Sequence, residues 1–493
     1  MTSGTAQGQR RGRWWFRLAA IVCALLPFVF LEIVCRVAGW GAEDLHRDPF
    51  VGFAATRPLF ELSNDRATMQ IAQSRRGFFK PDSFAVQKAP DEFRIFVVGG
   101  STVQGSPFST ETSFPAFTAL ALNAISSDKT WKTVNCGGVS YASYRIAPIL
   151  EECLQYEPDL IIFCEGHNEF LEDVSYVGRK QTSNLIAPLY SAASKLQSFR
   201  AIESLMAHSG SSDSGQPILN GEVTTRLDQA EGLSAYHRDD AHASMVAEHY
   251  RANLIRMCRM CRQANVPLLV IRPSANLADC PPFKSEFSAE LSEAERNRIA
   301  DLLHQSRQFL SEQKWDDAQR CLNDAVTQDP RYALSWYELG QWHRSRGNSA
   351  DALRCFQRAV DEDVCPLRMT TPLVRVMREV TSAEQVPLLD AHELLATLSP
   401  QQLPGDFLLV DHVHPSFRGH EEIAVAIAKW MQQTGLAPMV DAAAWEQSAR
   451  DACRQRVQSM SDTYFLQGRR QLEILKRWAA GRSQEPEFAP DGN

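Results

Sequence analysis

The chain has 493 residues, 44% of them hydrophobic and 22% charged, with a formal net charge of −8. That length exceeds one small core and implies two or more domains. An acidic balance without any cluster of basic and aromatic residues argues against a nucleic-acid partner.

The amino terminus departs from the average composition. Arg10, Arg11, Arg13 and Arg17 precede an uninterrupted apolar run from Leu18 to Leu31, and Glu32 interrupts before Ile33-Val34-Cys35 resumes. Trp14, Trp15 and Trp40 flank the segment as interfacial aromatics do. If Glu32 and Arg36 snorkel, residues 18–38 are long enough for an uncleaved transmembrane signal anchor. A cleaved signal peptide is the alternative. Basic residues 1–17 would then be cytoplasmic, and the rest of this single-pass membrane protein would lie outside the cytoplasm. Twelve cysteines would suit such a compartment, yet Cys23 and Cys35 fall in the N-terminal apolar segment, and Cys136, Cys153 and Cys164 lie in or beside apolar runs, where they read as small hydrophobes. Cys258 and Cys261 have CxxC spacing, but inside a helical pattern and without a second pair to complete a zinc site.

Residues 41–90 read as a stem. From Phe93 to Leu171 short apolar runs alternate with helical stretches: strands at Phe93–Val98, Thr133–Asn135 and Leu160–Cys164, helices at Ser113–Ser126 and Ile146–Gln155. A helix over Ala247–Gln263 and a strand over Pro267–Arg272 continue the pattern, which predicts a parallel sheet covered by helices on both faces. Residues 172–235 are a polar, helix-like insertion expected to cover or border the site. Within 297–366 a repeat appears: Ala318-Gln-Arg-Cys321 and Ala325-Val326 recur as Ala352-Leu-Arg-Cys355 and Ala359-Val360, 34 residues later. With Trp336-Tyr-Glu-Leu339-Gly340, this resembles tetratricopeptide repeats. Such units bury their apolar faces only against neighbours, here the helices expected over Asn297–Phe309 and Leu373–Val380. A protein or peptide partner is expected at this module. Beyond it come a strand over Gln385–Asp390, a helix over Glu421–Gln433, and a charged C-terminal segment, 440–493, read as one long helix over 445–480.

Chemistry concentrates at four places. Gly99-Gly100-Ser101-Thr102 follows the first strand, so Ser101 sits on a turn at the sheet's C-terminal edge, where open α/β sheets place their sites. Asp411-His-Val-His414 offers what a serine nucleophile lacks: His414 as base and Asp411 to orient it. A tetrahedral intermediate also needs donors aimed at its oxyanion. The candidates are the N–H of Ser101, an N–H in the turn Asn135–Ser140, and the side-chain amide of Asn168 in Gly166-His-Asn168-Glu169. Asp411, His412 and His414 could alternatively ligate a metal, but that explains neither Ser101 nor Asn168. His167, His412 and His420 read as supporting residues. The chemistry requires no cofactor and no metal.

These four blocks, in this order, resemble the SGNH (GDSL-type) hydrolase superfamily over residues 93–171 and about 385–433. The resemblance implies a flavodoxin-like three-layer α/β/α domain, split as 91–285 and 370–436, with the helical module inserted. It also implies ester or acyl-transfer chemistry with Ser101, His414 and Asp411 as catalytic residues and Asn168 as an oxyanion donor. Gly100 replaces the usual aspartate, and the superfamily's oxyanion glycine falls on Ser140 rather than on Gly138, leaving both as candidates. The expected function is an ester hydrolase acting through an acyl-enzyme on Ser101, outside the cytoplasm, on an ester such as an acylated saccharide. The alternatives are an O-acyltransferase or deacetylase on a cell-envelope polysaccharide, and a repeat scaffold with a degenerate hydrolase domain.

Overall fold

The structure is a computed structural model and describes residues 6–41, 44–176, 196–199, 201–202 and 217–480. It divides into two units: residues 1–47 with 175–217, and residues 48–174 with 218–493. Most of the polar insertion, 177–195 and 203–216, lies outside the described residues, as does the chain end after 480.

In the first unit an N-terminal helix runs from Ala6 to Ala38 and contains Pro27. Among the described residues, no helix is long and apolar enough to cross a membrane. This overturns the expected transmembrane anchor, and with it the single-pass, extracytoplasmic placement. The physical reason lies at Glu32. Leu18–Leu31 rises only about 21 Å as a helix, short of the roughly 30 Å hydrocarbon core. Glu32, rather than extending the run, accepts hydrogen bonds from Ser198 N (2.9 Å), Ser198 Oγ (2.7 Å), Gln197 N (3.1 Å) and Arg36 Nε (2.8 Å). The Ser198 N–H and Arg36 hold its carboxyl down at about 2. It is an ionised, fully partnered group.

The second unit is built on five parallel strands: β1 (Glu92–Gly99), β2 (Thr130–Gly137), β3 (Leu160–Cys164), β4 (Leu268–Arg272) and β5 (Leu388–Asp390). Their order in space is β5-β4-β3-β1-β2, which is the flavodoxin-like order. The sequence demands burial on both faces, because Ile95–Val98 of β1, Leu160–Cys164 of β3 and Leu268–Ile271 of β4 are unbroken runs of buried apolar residues. Ile95, Val97, Ile162 and Ile271 pack on α2 (Phe114–Ile125), α11 (Phe417–Gln433) and α12 (Ala442–Gln458). The alternate residues Phe96, Val98, Ile161 and Val270 are equally buried, on the side of α3 (Ser143–Cys153), α4 (Asp240–Gln263) and α9 (Thr371–Ala383).

Residues 52–85, expected as a stem, instead fold back on the domain. An antiparallel sheet (Phe60–Leu62, Thr68–Ile71, Ser83–Ala85) sets Phe60 and Phe84 against Phe96 and Tyr156. Helices α5 (Glu293–Ser311), α6 (Trp315–Gln328), α7 (Ala333–Ser345) and α8 (Ser349–Asp361) pack as successive neighbours. Ala318, Ala325, Ala352 and Ala359 are buried, and a Cβ on Gly340 would lie 2.6 Å from the Phe356 ring, so only small residues permit this approach. The C-terminal segment is two helices rather than one, because the Ser461 hydroxyl accepts the Tyr464 N–H and starts α13 (Asp462–Ala479) afresh. Helix α10 (Ala391–Leu398) follows β5, capped by Asp390.

Ile162 is fully buried at the centre of the sheet. Ile162→Ala is expected to cost about 2–5 kcal/mol, read as a lowered denaturation midpoint in urea.

Candidate active site

Parallel register brings the strand ends into one row. Gly99 stands opposite Gly137 on β2 and Cys164 on β3, and Cys164 stands opposite Ile271 on β4. The loops after these residues therefore share one sheet edge. Ser101 opens α1 (Ser101–Gln104), a single turn of helix directly after β1. Asn135 fixes the β2 end: its Nδ2 donates to Val103 O (2.8 Å) and Ser113 Oγ (3.1 Å), and its Oδ1 accepts the Gly137 N–H (3.0 Å).

Asp411–His414 lies before α11, whose first turn is capped by the Ser416 hydroxyl (Gly419 N–H, 3.2 Å). The loop is pinned by Val410 N–H to His414 O (2.9 Å) and Ser416 N–H to Leu408 O (2.8 Å). Asp411 Oδ1 accepts the N–H groups of Val413 (2.9 Å) and His414 (2.8 Å). Its Oδ2 lies 2.7 Å from His414 Nδ1, and His414 Nε2 lies 2.7 Å from Ser101 Oγ. Burial alone would raise the Asp411 carboxyl, but His414, His412 and these hydrogen bonds outweigh it and hold the group far below the usual range. An anion is thus kept behind the imidazole in a dry setting.

The oxyanion candidates separate on their hydrogen bonds. The Gly138 N–H is committed to Gly99 O (2.9 Å), extending the β1–β2 ladder. The Ser140 N–H meets no acceptor among the described residues, and Ser140 adopts φ 62°, a left-handed conformation that disfavours a side chain. Among the described residues the Ser101 N–H is likewise without an acceptor, as expected at a helix start. Asn168 Nδ2 donates once, to Tyr141 O (3.1 Å), leaving its second hydrogen available.

The remaining histidines have other employment. His167 bridges elements, with Nδ1 accepting the Met369 N–H (3.0 Å) and Nε2 beside Ser274 O (3.2 Å), while burial drives its pKa well down. Burial likewise holds His412 near 4 and His420 near 3; His420 Nδ1 accepts the Phe114 N–H (3.1 Å). Among the described residues there is no group of three or more metal-ligating side chains.

Two residues of the site escaped the sequence reading. Asn276 donates from Nδ2 to Asp411 O (3.1 Å) and from its backbone to His412 O (2.9 Å), so a loop after β4 supports the acid–base turn. Glu165, buried at the end of β3, accepts at Oε1 the N–H groups of Gly166 (2.9 Å), His167 (2.7 Å) and Asn168 (2.9 Å). Burial pushes its carboxyl up to about 7. Its only signal in sequence was a charge set directly behind a buried strand. A cleft of about 630 Å³ lined by Phe117, Phe417, Glu422 and Arg450 includes none of these groups.

No protein-family model and no curated protein matches this chain. Among solved structures, a lipase/acylhydrolase from Enterococcus faecalis is similar at 14% identity over 71% of this chain and 100% of its own, with a TM-score of 0.31. A protein described as lipolytic, of the G-D-S-L family, from Desulfitobacterium hafniense DCB-2 is similar at 9% identity over 68% and 98%, with a TM-score of 0.28. At such TM-scores neither likeness carries weight for this chain, and function rests on the geometry.

Glu169 supplies a pH test of the site's packing. It accepts Ser143 N–H (2.8 Å) and Oγ–H (2.9 Å), yet burial raises it from 4.5 to about 8. A carboxyl raised in the folded state stabilises fully below pH 4.5 and loses that contribution as pH rises through 8. Glu169→Gln lacks this titration, so its denaturation midpoint is expected to gain on the parent's between pH 4.5 and pH 8.

Proposed function

We propose that the chain is a serine ester hydrolase, with Ser101 as nucleophile, His414 as general base and then acid, and Asp411 as its orienting anion. The observation that carries this reading is the unbroken line from Asp411 Oδ2 through both imidazole nitrogens to Ser101 Oγ, each step 2.7 Å. Ser101 Oγ gives its proton to His414 Nε2 as the oxygen attacks the ester carbonyl. Asp411 keeps the tautomer with the proton on Nδ1 and stabilises the imidazolium. The tetrahedral oxyanion would receive the N–H of Ser101, the N–H of Ser140 and the free amide hydrogen of Asn168. Collapse releases the alcohol, which takes the proton from Nε2 and leaves Ser101 acylated. Water then repeats the sequence and frees the acid.

Residues 297–366 are read in the same proposal as tetratricopeptide-type repeats with a bracing role. Tyr337 Oη donates to Ala278 O (3.2 Å) and Arg344 pairs with Asp279 (2.6 Å). Both hold the loop that carries Asn276, hence the Asp411 turn.

Ser101→Ala and His414→Ala are expected to abolish hydrolysis of a short-chain aryl acetate, and Asp411→Asn to lower kcat by about 10³–10⁴. A fluorophosphonate probe should label Ser101 in the parent and nothing at that peptide in Ser101→Ala. Wild-type turnover in either alanine variant would sink the reading.

A further inference from the structure

Glu165 is a buried carboxylate directly behind β3, yet the acyl-transfer steps leave it without a task. Its partners define one. Oε1 gathers three consecutive N–H groups, Gly166 to Asn168, and Oε2 lies directly against the backbone of Gly100. Gly100 precedes Ser101 at the end of β1, whereas Asn168 follows β3. One rigid group therefore ties the two strand ends whose donors face a common oxyanion. Gly100 is glycine for this reason: a Cβ there would lie 2.0 Å from Glu165 Oε2 and 2.6 Å from Asn168 Nδ2. The backbone of Gly100 is not strained, with φ −87°, so space rather than conformation excludes a side chain.

We propose that Glu165 is a positioning residue that sets the spacing between the Ser101 N–H and the Asn168 amide. It acts through the loops at the ends of β1 and β3 and does not touch the substrate. The role rests on Ser101 and Asn168 working as described above. Three N–H donors on one carboxylate oxygen explain why a buried acidic side chain can stand where an apolar one would pack. They also predict that the carboxylate can be supplied from the opposite strand. An aspartate at position 100 would project its carboxylate into the volume that Glu165 vacates on truncation.

The test uses the full chain, an aryl acetate and thermal melting. Glu165→Ala is expected to lower kcat by about 10²-fold, the scale of a displaced oxyanion donor, with KM within about 3-fold of the parent. Glu165→Gln, which keeps an acceptor but turns an N–H₂ toward Gly100, should lose about 10-fold in kcat. Gly100→Asp alone should be impaired by the clash, whereas Glu165→Ala with Gly100→Asp should recover most of the kcat lost by Glu165→Ala. A merely structural role would not give a kcat-only loss with rescue by relocation. Unchanged kcat in the folded Glu165→Gln and Glu165→Ala proteins, or a folded double variant no faster than Glu165→Ala, overturns the assignment. Ser101→Ala is run in parallel: turnover that survives it would reject the serine mechanism itself, whereas its loss beside unaffected Glu165 variants rejects only the positioning role.

Discussion

Ser101 and His414 are 313 residues apart in the chain and 2.7 Å apart in space. What brings them together is the common edge of one parallel sheet. Parallel strands all end on the same side, and the register Gly99–Gly137–Cys164–Ile271 puts four consecutive strand ends in a row. Every group of the site hangs from that row or from the loop beside it. The hydrophobic burial that orders β1, β3 and β4 on both faces is thus also the force that assembles the chemistry.

Three buried carboxylates show how environment divides one functional group into different roles. Asp411 has an imidazole on one oxygen and backbone donors on the other, and its charge persists in spite of burial. Glu165 and Glu169 accept hydrogen bonds but face no cation among the described residues, so burial prevails and both are raised. Charge is kept where it lies behind a base, and weakened where the side chain organises backbone.

The helices between β4 and β5 interrupt the sheet without disturbing it. They dock through Ala352, Phe356 and Val360 on Ala275, Leu277 and Ala278, the stretch directly after β4. A length of chain that reads as an appended module is therefore continuous with the packing around Asp411. The N-terminal helix carries the opposite lesson. Its arginines, tryptophans and apolar run look like an anchor in one dimension. The polar contacts of Glu32 with Gln197 and Ser198 are visible only once the chain has folded.

By itself the sequence determined the alternating strands and helices, since continuous apolar runs such as Leu160–Cys164 have few other resting places. It also determined the position of Ser101 on a turn, the local Asp411-x-x-His414 pair and the 34-residue recurrence of small residues. These are short-range properties, readable from composition and spacing. Tertiary structure alone decided which N–H in the Asn135–Ser140 turn is available, because that depends on whether Gly138 joins the ladder to Gly99. It decided that residues 60–85 pack on the sheet, and that the C-terminal segment breaks at Ser461. It also supplies the reason that position 100 is glycine, because the carboxylate of Glu165, 65 residues later, occupies the space a side chain would need. Contacts between distant segments have no periodicity to announce them, and only the folded chain states them.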